Sequence, residues 1–225
     1  MFRIDKEVSS AYFSQIQQEL VRQPLPVNKY RKQSGDGRSQ CFGIVRQRNG
    51  TYTGSRMNFQ RPYLYYLLLK LAQDILPQDF SYQSIQLNQN YKTAPHYDKG
   101  NKGESGIVAF GDYTEGELVI EDQEIDIKNK LVFFDGSKYK HWTKDFRGFR
   151  YSIVFFNNDR NFIDIPKFSF GLVSTKKDMK MLLVEEYDDI QRVYNSRGKV
   201  IHSSDGLEIL PRANVPTLRP CKELK

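Results

Sequence analysis

The amino-acid sequence predicts an α+β fold, in which helices from the first 80 residues support a core of short β-strands. The 225 residues include fifteen Phe and fourteen Tyr, and such side chains favour half-buried sheet surfaces. Two apolar segments with helical periodicity precede Pro77, and six short apolar segments separated by turn residues follow it. This order indicates one β-rich core with helices packed against it.

Two helices are expected before the core. The first covers residues 5–22, where apolar side chains recur close to the 3.6-residue period before Pro24 and Pro26. The second begins at Pro62 and continues through YLYYLLLKLAQDIL, which is apolar on most faces and should be packed tightly. Between them, residues 34–56 indicate strand or loop around 41–45, and we predict no regular structure for residues 47–55.

The strand segments after Pro77 are SIQLNQNY, GIVAFG, GELVIED, EIDIKN, LVFFDG and RYSIVFFN. Their lengths and spacing are typical of a sandwich or barrel, of which the jelly roll is one form. After Asn158 the pattern weakens, and residues 176–194 are compatible with a helix. We therefore expect an N-terminal part over 1–80, a jelly-roll core over 81–170 and a C-terminal extension over 171–225.

Cysteine usage and hydropathy bear on the cellular compartment. Cys41 and Cys221 lie far apart and form no CxxC or Cys/His pattern, which argues against a disulfide framework or a structural zinc site. The N-terminus has no apolar segment of signal-peptide length, and no segment is long enough to span a membrane. We expect a reduced protein of the cytoplasm or nucleus that is neither secreted nor bound to a membrane.

Positive charge is concentrated in one segment. The formal net charge is +7, and from Arg22 to Arg61 there are nine Arg and Lys residues but one acid, Asp36. Tyr30, Phe42, Tyr52 and Phe59 are interleaved with these cations. Such a segment is typical either of a surface that binds nucleic acid or of an ordinary solvated basic face with aromatic residues in the core. Both interpretations stay open at this point.

Two of the three histidines lie where a metal site would need them. His96 and Asp98 form an HYD tripeptide, and on an extended segment their side chains point to the same side. His141 precedes a strong strand and completes the set if the fold brings it back, whereas His202 lies in the weak C-terminal region. Two imidazoles and one carboxylate leave open positions on an octahedral ion, as non-haem Fe(II) requires for a cosubstrate and dioxygen.

An iron enzyme that uses 2-oxoglutarate must also bind the far carboxylate of that cosubstrate. Arg150 opens the strand RYSIVFF and offers a planar fork that pairs both carboxylate oxygens. Ser152 faces the same side of the strand and can add a hydroxyl hydrogen bond, while Asn88 and Tyr91 are candidates for the other end of the cosubstrate. Arg147 is the rival for the carboxylate, although it lies in a predicted turn.

The segments APHYDKGN, FGDYTEGELVIE, FFDGSKYKHW and RYSIVFF resemble the Fe(II)- and 2-oxoglutarate-dependent oxygenase superfamily. Within it, the chain is similar to the branch of ten-eleven translocation methylcytosine oxidases and base J thymine hydroxylases. The short gap from His141 to Arg150 is also what prolyl hydroxylases show. The resemblance covers about Ser39 to Asn157 and implies a double-stranded β-helix that carries the site of a dioxygenase.

The same resemblance implies Fe(II), 2-oxoglutarate and dioxygen, with ascorbate as an optional addition, and a C–H hydroxylation that releases succinate and carbon dioxide. We expect the substrate to be a nucleobase, methylcytosine or thymine, in nucleic acid bound through the segment from Arg22 to Arg61. The alternative is hydroxylation of a protein prolyl or lysyl side chain. A binding module that has lost catalysis is disfavoured because every metal and cosubstrate position is filled.

Overall fold

The computed structural model describes residues 2–27, 37–47 and 49–158 and, beyond these, the backbone of five further strands. The helical elements are a 3-10 helix at Ser10–Phe13, α1 at Ser14–Arg22, α2 at Arg56–Gln60 and α3 at Pro62–Ile75. Pro62 occupies the first turn of α3, where its missing N–H costs no hydrogen bond. Most of the buried side chains of the helices lie on α3, which is therefore the main support of the core.

Ten strands lie between Phe2 and Phe156. They are β1 Phe2–Glu7, β2 Arg38–Arg46, β3 Tyr52–Gly54, β4 Ser84–Gln89, β5 Ser105–Glu115, β6 Leu118–Ile120, β7 Gln123–Ile125, β8 Lys130–Phe134, β9 His141–Thr143 and β10 Phe146–Phe156. The backbone of the C-terminal region adds β11 Lys167–Ser174, β12 Met179–Tyr187, β13 Ile190–Tyr194, β14 Val200–Ile201 and β15 Glu208–Ile209.

The strands form three sheets with antiparallel pairing. The major sheet has the order β1-β8-β5-β10-β4-β2-β3, and the minor sheet has the order β7-β6-β9. The C-terminal strands form a separate sheet in the order β14-β13-β12-β11-β15. The major sheet therefore takes β1, β2 and β3 from the first 80 residues, and its centre consists of β5, β10 and β4.

The major sheet lies between two apolar layers because its strands alternate their side chains between the faces. Phe110, Tyr151 and Phe155 belong to the core shared with the helices, where Phe13 stacks on Phe110 with 4.5 Å between ring centroids. Ile107 and Ala109 belong instead to the core shared with the minor sheet. Helices, major sheet and minor sheet thus form three layers, which confirms the predicted jelly-roll core with supporting N-terminal helices.

All six strands predicted after Pro77 are present, as is the helix that begins at Pro62. The helix predicted over 5–22 is wrong in its first half, because residues 2–7 pair with β8 as an edge strand and α1 begins only at Ser14. The charged side chains of β1 hid its strand character, although charge is typical of sheet edges. Residues 176–194 include β12 and β13, so the suggested helix is also wrong.

Residues 52–54 form the short strand β3, so the prediction of no regular structure for residues 47–55 is wrong at this point. His202 and Cys221 lie outside the described residues. Within the described chain no helix combines the length and apolar composition needed to cross a membrane.

Candidate functional site

The segment that carries His96 and Asp98 is held beside β9 by backbone hydrogen bonds. The amides of His96 and His141 donate to each other's carbonyl oxygens at 3.1 and 3.0 Å. The Thr143 amide donates to the carbonyl oxygen of Thr93, and the Asp98 amide donates to that of Gly136 at 2.8 Å. The fold therefore brings His141 back to the HYD tripeptide by adding this segment to the free edge of the minor sheet.

His96, Asp98 and His141 form a three-residue cluster that can bind a metal ion. Their ligand atoms all lie within 4.8 Å of one another. The Nε2 atoms of His96 and His141 each lie 3.6 Å from an oxygen of Asp98. His141 is buried while His96 and Asp98 are half-buried, so the cluster is open on one side. An ion bound here would keep coordination positions for further ligands.

Backbone carbonyl oxygens orient both imidazole rings. Nδ1 of His96 lies 2.8 Å from the carbonyl oxygen of Ala94, and Nδ1 of His141 lies 3.0 Å from that of Tyr139. A ring that donates Nδ1–H to a carbonyl keeps its Nε2 lone pair for a metal. The tautomer that suits metal binding is therefore set by the backbone next to each ligand.

The Asp98 carboxylate is prepared for the charged state. Burial alone raises the pKa of Asp98, but hydrogen bonds and charge from His141 and His96 outweigh burial and hold that pKa below its usual range. Asn101 donates from Nδ2 to Asp98 Oδ2 at 3.2 Å, and this contact orients the carboxylate. Asp98 is thus an ionised acceptor, as a metal ligand must be.

Gly136 makes the close approach of the cluster possible. A Cβ atom at this position would lie 3.1 Å from Cε1 of His141 and 3.3 Å from Oδ2 of Asp98. Both distances are tighter than ordinary van der Waals contact. The turn between β8 and β9 therefore favours a residue without a side chain, because a Cβ here would push on two of the candidate metal ligands.

A cavity of about 130 Å³ adjoins the cluster and is lined by all three of its side chains. Asn88, Tyr91 and Ser152 also line the cavity, so three predicted cosubstrate residues face it. The register of β4 with β10 pairs Asn88 with Ser152, so both side chains lie on the same face, where the Asn88 amide donates to Ser152 Oγ at 3.1 Å. The cavity lies between one face of the major sheet and the candidate metal ligands.

Arg150 is deeply buried at 2% exposure and does not line that cavity. Its guanidinium carbon lies 5.5 Å from the ring centroid of Tyr113 and 5.7 Å from that of Phe146, within cation–π range. Burial lowers the pKa of Arg150, and its interactions with Tyr113 oppose this shift. Gly116 lies against the side chain, since a Cβ there would be 3.3 Å from Arg150 Nε.

The Arg150 guanidinium has an unfilled binding capacity. Its buried Nε atom has no hydrogen-bond partner, and no carboxylate of the described residues lies within 4.0 Å of it. A buried cation in this state is costly unless an anion pairs with it. Arg147, in contrast, is exposed and lies within β10 opposite Thr114, so the predicted turn is wrong, and Arg150 lies inside this strand and does not open it. The arrangement therefore favours Arg150 as the carboxylate partner.

Three site residues were not predicted from the sequence: Asn101, Tyr113 and Thr143. Asn101 follows Asp98 by three residues and contacts it, and Tyr113 lies beside Arg150. Thr143 lines the cavity two residues after His141, and its hydroxyl lies 3.2 Å from that of Thr93. Thr143 could have been found from the strand period. Asn101 and Tyr113 depend on contacts between segments, which local spacing does not reveal.

The basic segment from Arg22 to Arg61 divides into structural and exposed cations. Arg61 is buried and donates to the carbonyl oxygen of Gln23 at 3.0 Å, and Arg38 donates to that of Leu25 at 2.7 Å. Phe42 belongs to the core and Phe59 packs against it, so neither offers a stacking surface. Exposed cations of this segment are Arg22, Arg46 and Arg56, and its residues 28–36 and 48 lie outside the described chain.

The chain is similar to several solved structures at low sequence identity. No protein-family model matches the chain, and no curated protein matches it. Among solved structures, NgTET1 in complex with 5mC DNA is similar at 16% identity over 68% of this chain and 69% of that chain, with a TM-score of 0.48. A prolyl hydroxylase from Trichoplax adhaerens, in complex with a hypoxia inducible factor peptide fragment, is similar at 12% identity over 70% and 83%, with a TM-score of 0.48.

A 2OG-Fe(II) family oxidoreductase from Burkholderia pseudomallei is similar at 14% identity over 68% of this chain and 91% of that chain, with a TM-score of 0.41. The solved structures similar to this chain thus include a prolyl hydroxylase and a member of the 2OG-Fe(II) oxygenase family. At these identities and TM-scores the likeness does not bear on the reaction or the substrate of this chain.

Proposed function

We propose that this protein is an Fe(II)- and 2-oxoglutarate-dependent dioxygenase that hydroxylates a C–H bond. The observation that carries the proposal is the cluster of His96, Asp98 and His141, open on one side and beside a cavity. Two imidazoles and one carboxylate with free positions are the donor set that non-haem Fe(II) uses in oxygenases. A closed structural zinc site would need a fourth protein ligand, and the cluster offers three.

The residues present fit iron and its cosubstrate. His96, Asp98 and His141 would hold Fe(II) through two neutral Nε2 atoms and one ionised carboxylate. Arg150 and Ser152 would hold the far carboxylate of 2-oxoglutarate, since both supply hydrogen-bond donors from one face of β10. When bound, Fe(II) with 2-oxoglutarate and dioxygen supplies an oxidant that converts C–H to C–OH, with release of succinate and carbon dioxide.

The remaining lining residues restrict what the cavity accepts. Ile107, Leu118 and Phe134 provide apolar contacts that limit water, while Tyr91 and Thr143 offer hydroxyl groups near the ligand cluster. A site of this kind positions one C–H bond and excludes competing solvent reactions. Substitution of these side chains should change the ratio of substrate oxidised to 2-oxoglutarate consumed.

The experiment that tests the reaction class is a succinate-release assay with Fe(II) and 2-oxoglutarate across four candidate substrates. These are methylated DNA, unmodified DNA, RNA and proline-rich peptides, each followed by mass spectrometry of the product. We expect one class to stimulate succinate release and to gain 16 Da, about the mass of one oxygen atom. Absence of succinate with every substrate and without substrate would refute the dioxygenase proposal.

We further propose that the substrate is a nucleobase in nucleic acid. Four exposed lysines lie on the loop that carries His96 and Asp98 and on the loop that leads to His141: Lys99, Lys102, Lys138 and Lys140. Tyr97, between two of the ligands, is exposed at 44% and can stack on a base. Cations beside the mouth of a site attract a phosphate backbone, and a duplex base would have to be flipped into the cavity.

The alternative is hydroxylation of a prolyl or lysyl side chain in an acidic peptide, which the same lysines would also attract. Salt dependence and substrate response separate the two. We expect the protein to bind DNA or RNA with an affinity that falls steeply as salt concentration rises. In a plot of log affinity against log salt concentration, each phosphate contact should add about 0.7 to 0.9 to the slope. No binding at low salt, together with succinate release on a peptide, would overturn the nucleic-acid proposal and favour the alternative.

Matched variants locate the nucleic-acid contact. The double substitution Lys99→Gln with Lys102→Gln removes rim charges, whereas Arg46→Gln with Arg56→Gln removes exposed charges of the basic segment. Lys70→Gln alone, on the exposed side of α3, is the control for a lost surface charge. The double substitution that weakens the dependence of nucleic-acid affinity on salt concentration identifies the surface that contacts the phosphate backbone.

A further inference from the structure

Ser39, Asn88 and Ser152 form one row across three neighbouring strands of the major sheet. The register pairs Asn88 of β4 with Ser39 of β2 on one side and with Ser152 of β10 on the other. All three side chains are buried. Gln86, two residues before Asn88, lies on the same face of β4. Three of these four residues line the cavity beside the candidate metal ligands, and Ser39 lies behind them.

The hydrogen bonds of this row run in a single direction. The Gln86 amide donates to Ser39 Oγ at 2.7 Å, and the Ser39 hydroxyl donates to Asn88 Oδ1 at 2.6 Å. The Asn88 amide then donates from Nδ2 to Ser152 Oγ at 3.1 Å. Each group accepts from the previous one and donates to the next. Bonds arranged head to tail polarise one another, which strengthens the donor at the end of the chain.

The last group in the row is the Ser152 hydroxyl, and its proton is not used by the row. Ser152 Oγ accepts from Asn88, and it makes no other hydrogen bond to the residues that the structure describes. The hydroxyl can therefore donate into the cavity that it lines. Arg150 lies two residues earlier on the same face and has a buried Nε without a partner. The same face of β10 therefore carries two donors without an acceptor, which suits an anionic ligand.

We propose that Gln86, Ser39 and Asn88 form a one-way hydrogen-bond chain that fixes the Ser152 hydroxyl as a donor to the carboxylate of bound 2-oxoglutarate. The proposal rests on the proposed function and assigns residues to its cosubstrate site. Ser39 lies one strand beyond the cavity wall and is a positioning residue, as is Gln86. Asn88, expected from the sequence to contact the cosubstrate, acts here through Ser152.

The test is a calorimetric titration of 2-oxoglutarate into the full-length protein with Mn(II) in place of Fe(II), which needs no turnover. In Asn88→Asp, one carboxylate oxygen can still accept the hydrogen bond from Ser39. The second oxygen replaces the Nδ2 group that donates to Ser152, so it can only accept. The Ser152 hydroxyl should then donate to the new carboxylate instead of to the ligand. We expect the dissociation constant to rise at least roughly tenfold, as for a lost hydrogen bond to a charged group.

A double-mutant cycle separates this effect from simple charge repulsion. Ser152→Ala alone should weaken binding to a similar extent, and adding Asn88→Asp to it should cause little further loss, because both changes remove the same bond. Gln89→Glu places a new charge on the next residue of β4, where the side-chain oxygen accepts from the Leu25 amide, and should leave binding near the wild-type value. Additive losses would mean that Asn88 acts only through charge and would overturn the chain.

Ser39→Ala changes no charge and leaves Asn88 and Ser152 in place. The substitution removes the hydrogen bond that Asn88 Oδ1 accepts from Ser39. We therefore expect the dissociation constant for 2-oxoglutarate to rise roughly threefold, in the range of one neutral hydrogen bond. An unchanged constant in both Ser39→Ala and Asn88→Asp would overturn the proposal while leaving the dioxygenase intact. Failure of the wild-type protein to bind 2-oxoglutarate with Mn(II) would instead remove the proposed function, and this chain with it.

Discussion

Replacement of Arg150 by Lys should weaken 2-oxoglutarate binding strongly while sparing the metal site. The guanidinium is buried between Tyr113 and Phe146 and has an Nε without a partner. A lysine keeps the positive charge but offers one ammonium group in place of a planar fork. The change therefore removes directed hydrogen bonds and aromatic stacking and leaves the net charge unaltered.

The expected magnitude follows from the loss of about one charge-assisted hydrogen bond. Such a bond contributes about 1.5 to 3 kcal/mol, which corresponds to a rise of roughly 10- to 150-fold in the dissociation constant. At 2% exposure Arg150 is shielded from water, so solvent cannot replace the lost bond. The upper half of this range is expected if both oxygens of the cosubstrate carboxylate contact the fork.

The assay measures the KM for 2-oxoglutarate in succinate release and, in parallel, the affinity for Fe(II). Arg150→Lys should raise the first value and leave the second unchanged. Arg147→Lys is the matched control, because Arg147 is exposed and should tolerate the same change. An unchanged KM in Arg150→Lys, with a large rise in Arg147→Lys, would refute the reasoning and transfer the carboxylate role to Arg147.

Three further predictions concern the metal site and the core. Fe(II) affinity should fall and turnover should be lost in each of His96→Ala, Asp98→Ala and His141→Ala, because each change removes one of three ligands. Normal iron content together with normal activity in any variant would exclude that residue as a ligand. The Asp98 carboxylate should stay ionised from pH 8 down to pH 5, because hydrogen bonds and charge from His141 and His96 hold its pKa below the usual range. Carboxyl NMR shifts of the metal-free protein measure this, and protonation of Asp98 within that range would contradict it. Phe110→Ala should lower the free energy of unfolding by about 3 to 5 kcal/mol in denaturant titrations, since Phe110 is buried and stacked on Phe13. A loss below about 1 kcal/mol would mean that the N-terminal 3-10 helix adds little to the core.

Much of the fold could be predicted because its signals are local. The apolar segments after Pro77 alternate or stay apolar over strand lengths, and Pro62 marks the start of α3. β1 was missed because its charged residues are stabilised by pairing with β8, a segment more than a hundred residues away in the sequence. Partners at such separations decide edge strands, and propensity alone does not identify them.

The candidate site was predictable to the same extent. His96 and Asp98 share a face through the strand period, and Arg150 and Ser152 share one for the same reason. The register that pairs Ser39 with Asn88 and Asn88 with Ser152 joins three strands, so the hydrogen-bond chain could not be read from any one segment. Tyr113 likewise meets Arg150 only through the pairing of β5 with β10.

The most direct test of the central claim is the amount of succinate that the purified protein forms from 2-oxoglutarate with Fe(II). We predict succinate in air, strongly reduced formation without oxygen, and none in Asp98→Ala, whose carboxylate completes the three-ligand cluster. The Arg150→Lys variant, assayed separately, should form succinate only at a raised concentration of 2-oxoglutarate. Equal succinate formation by the wild-type protein and Asp98→Ala, or formation that needs no oxygen, would contradict an Fe(II)- and 2-oxoglutarate-dependent dioxygenase at this site.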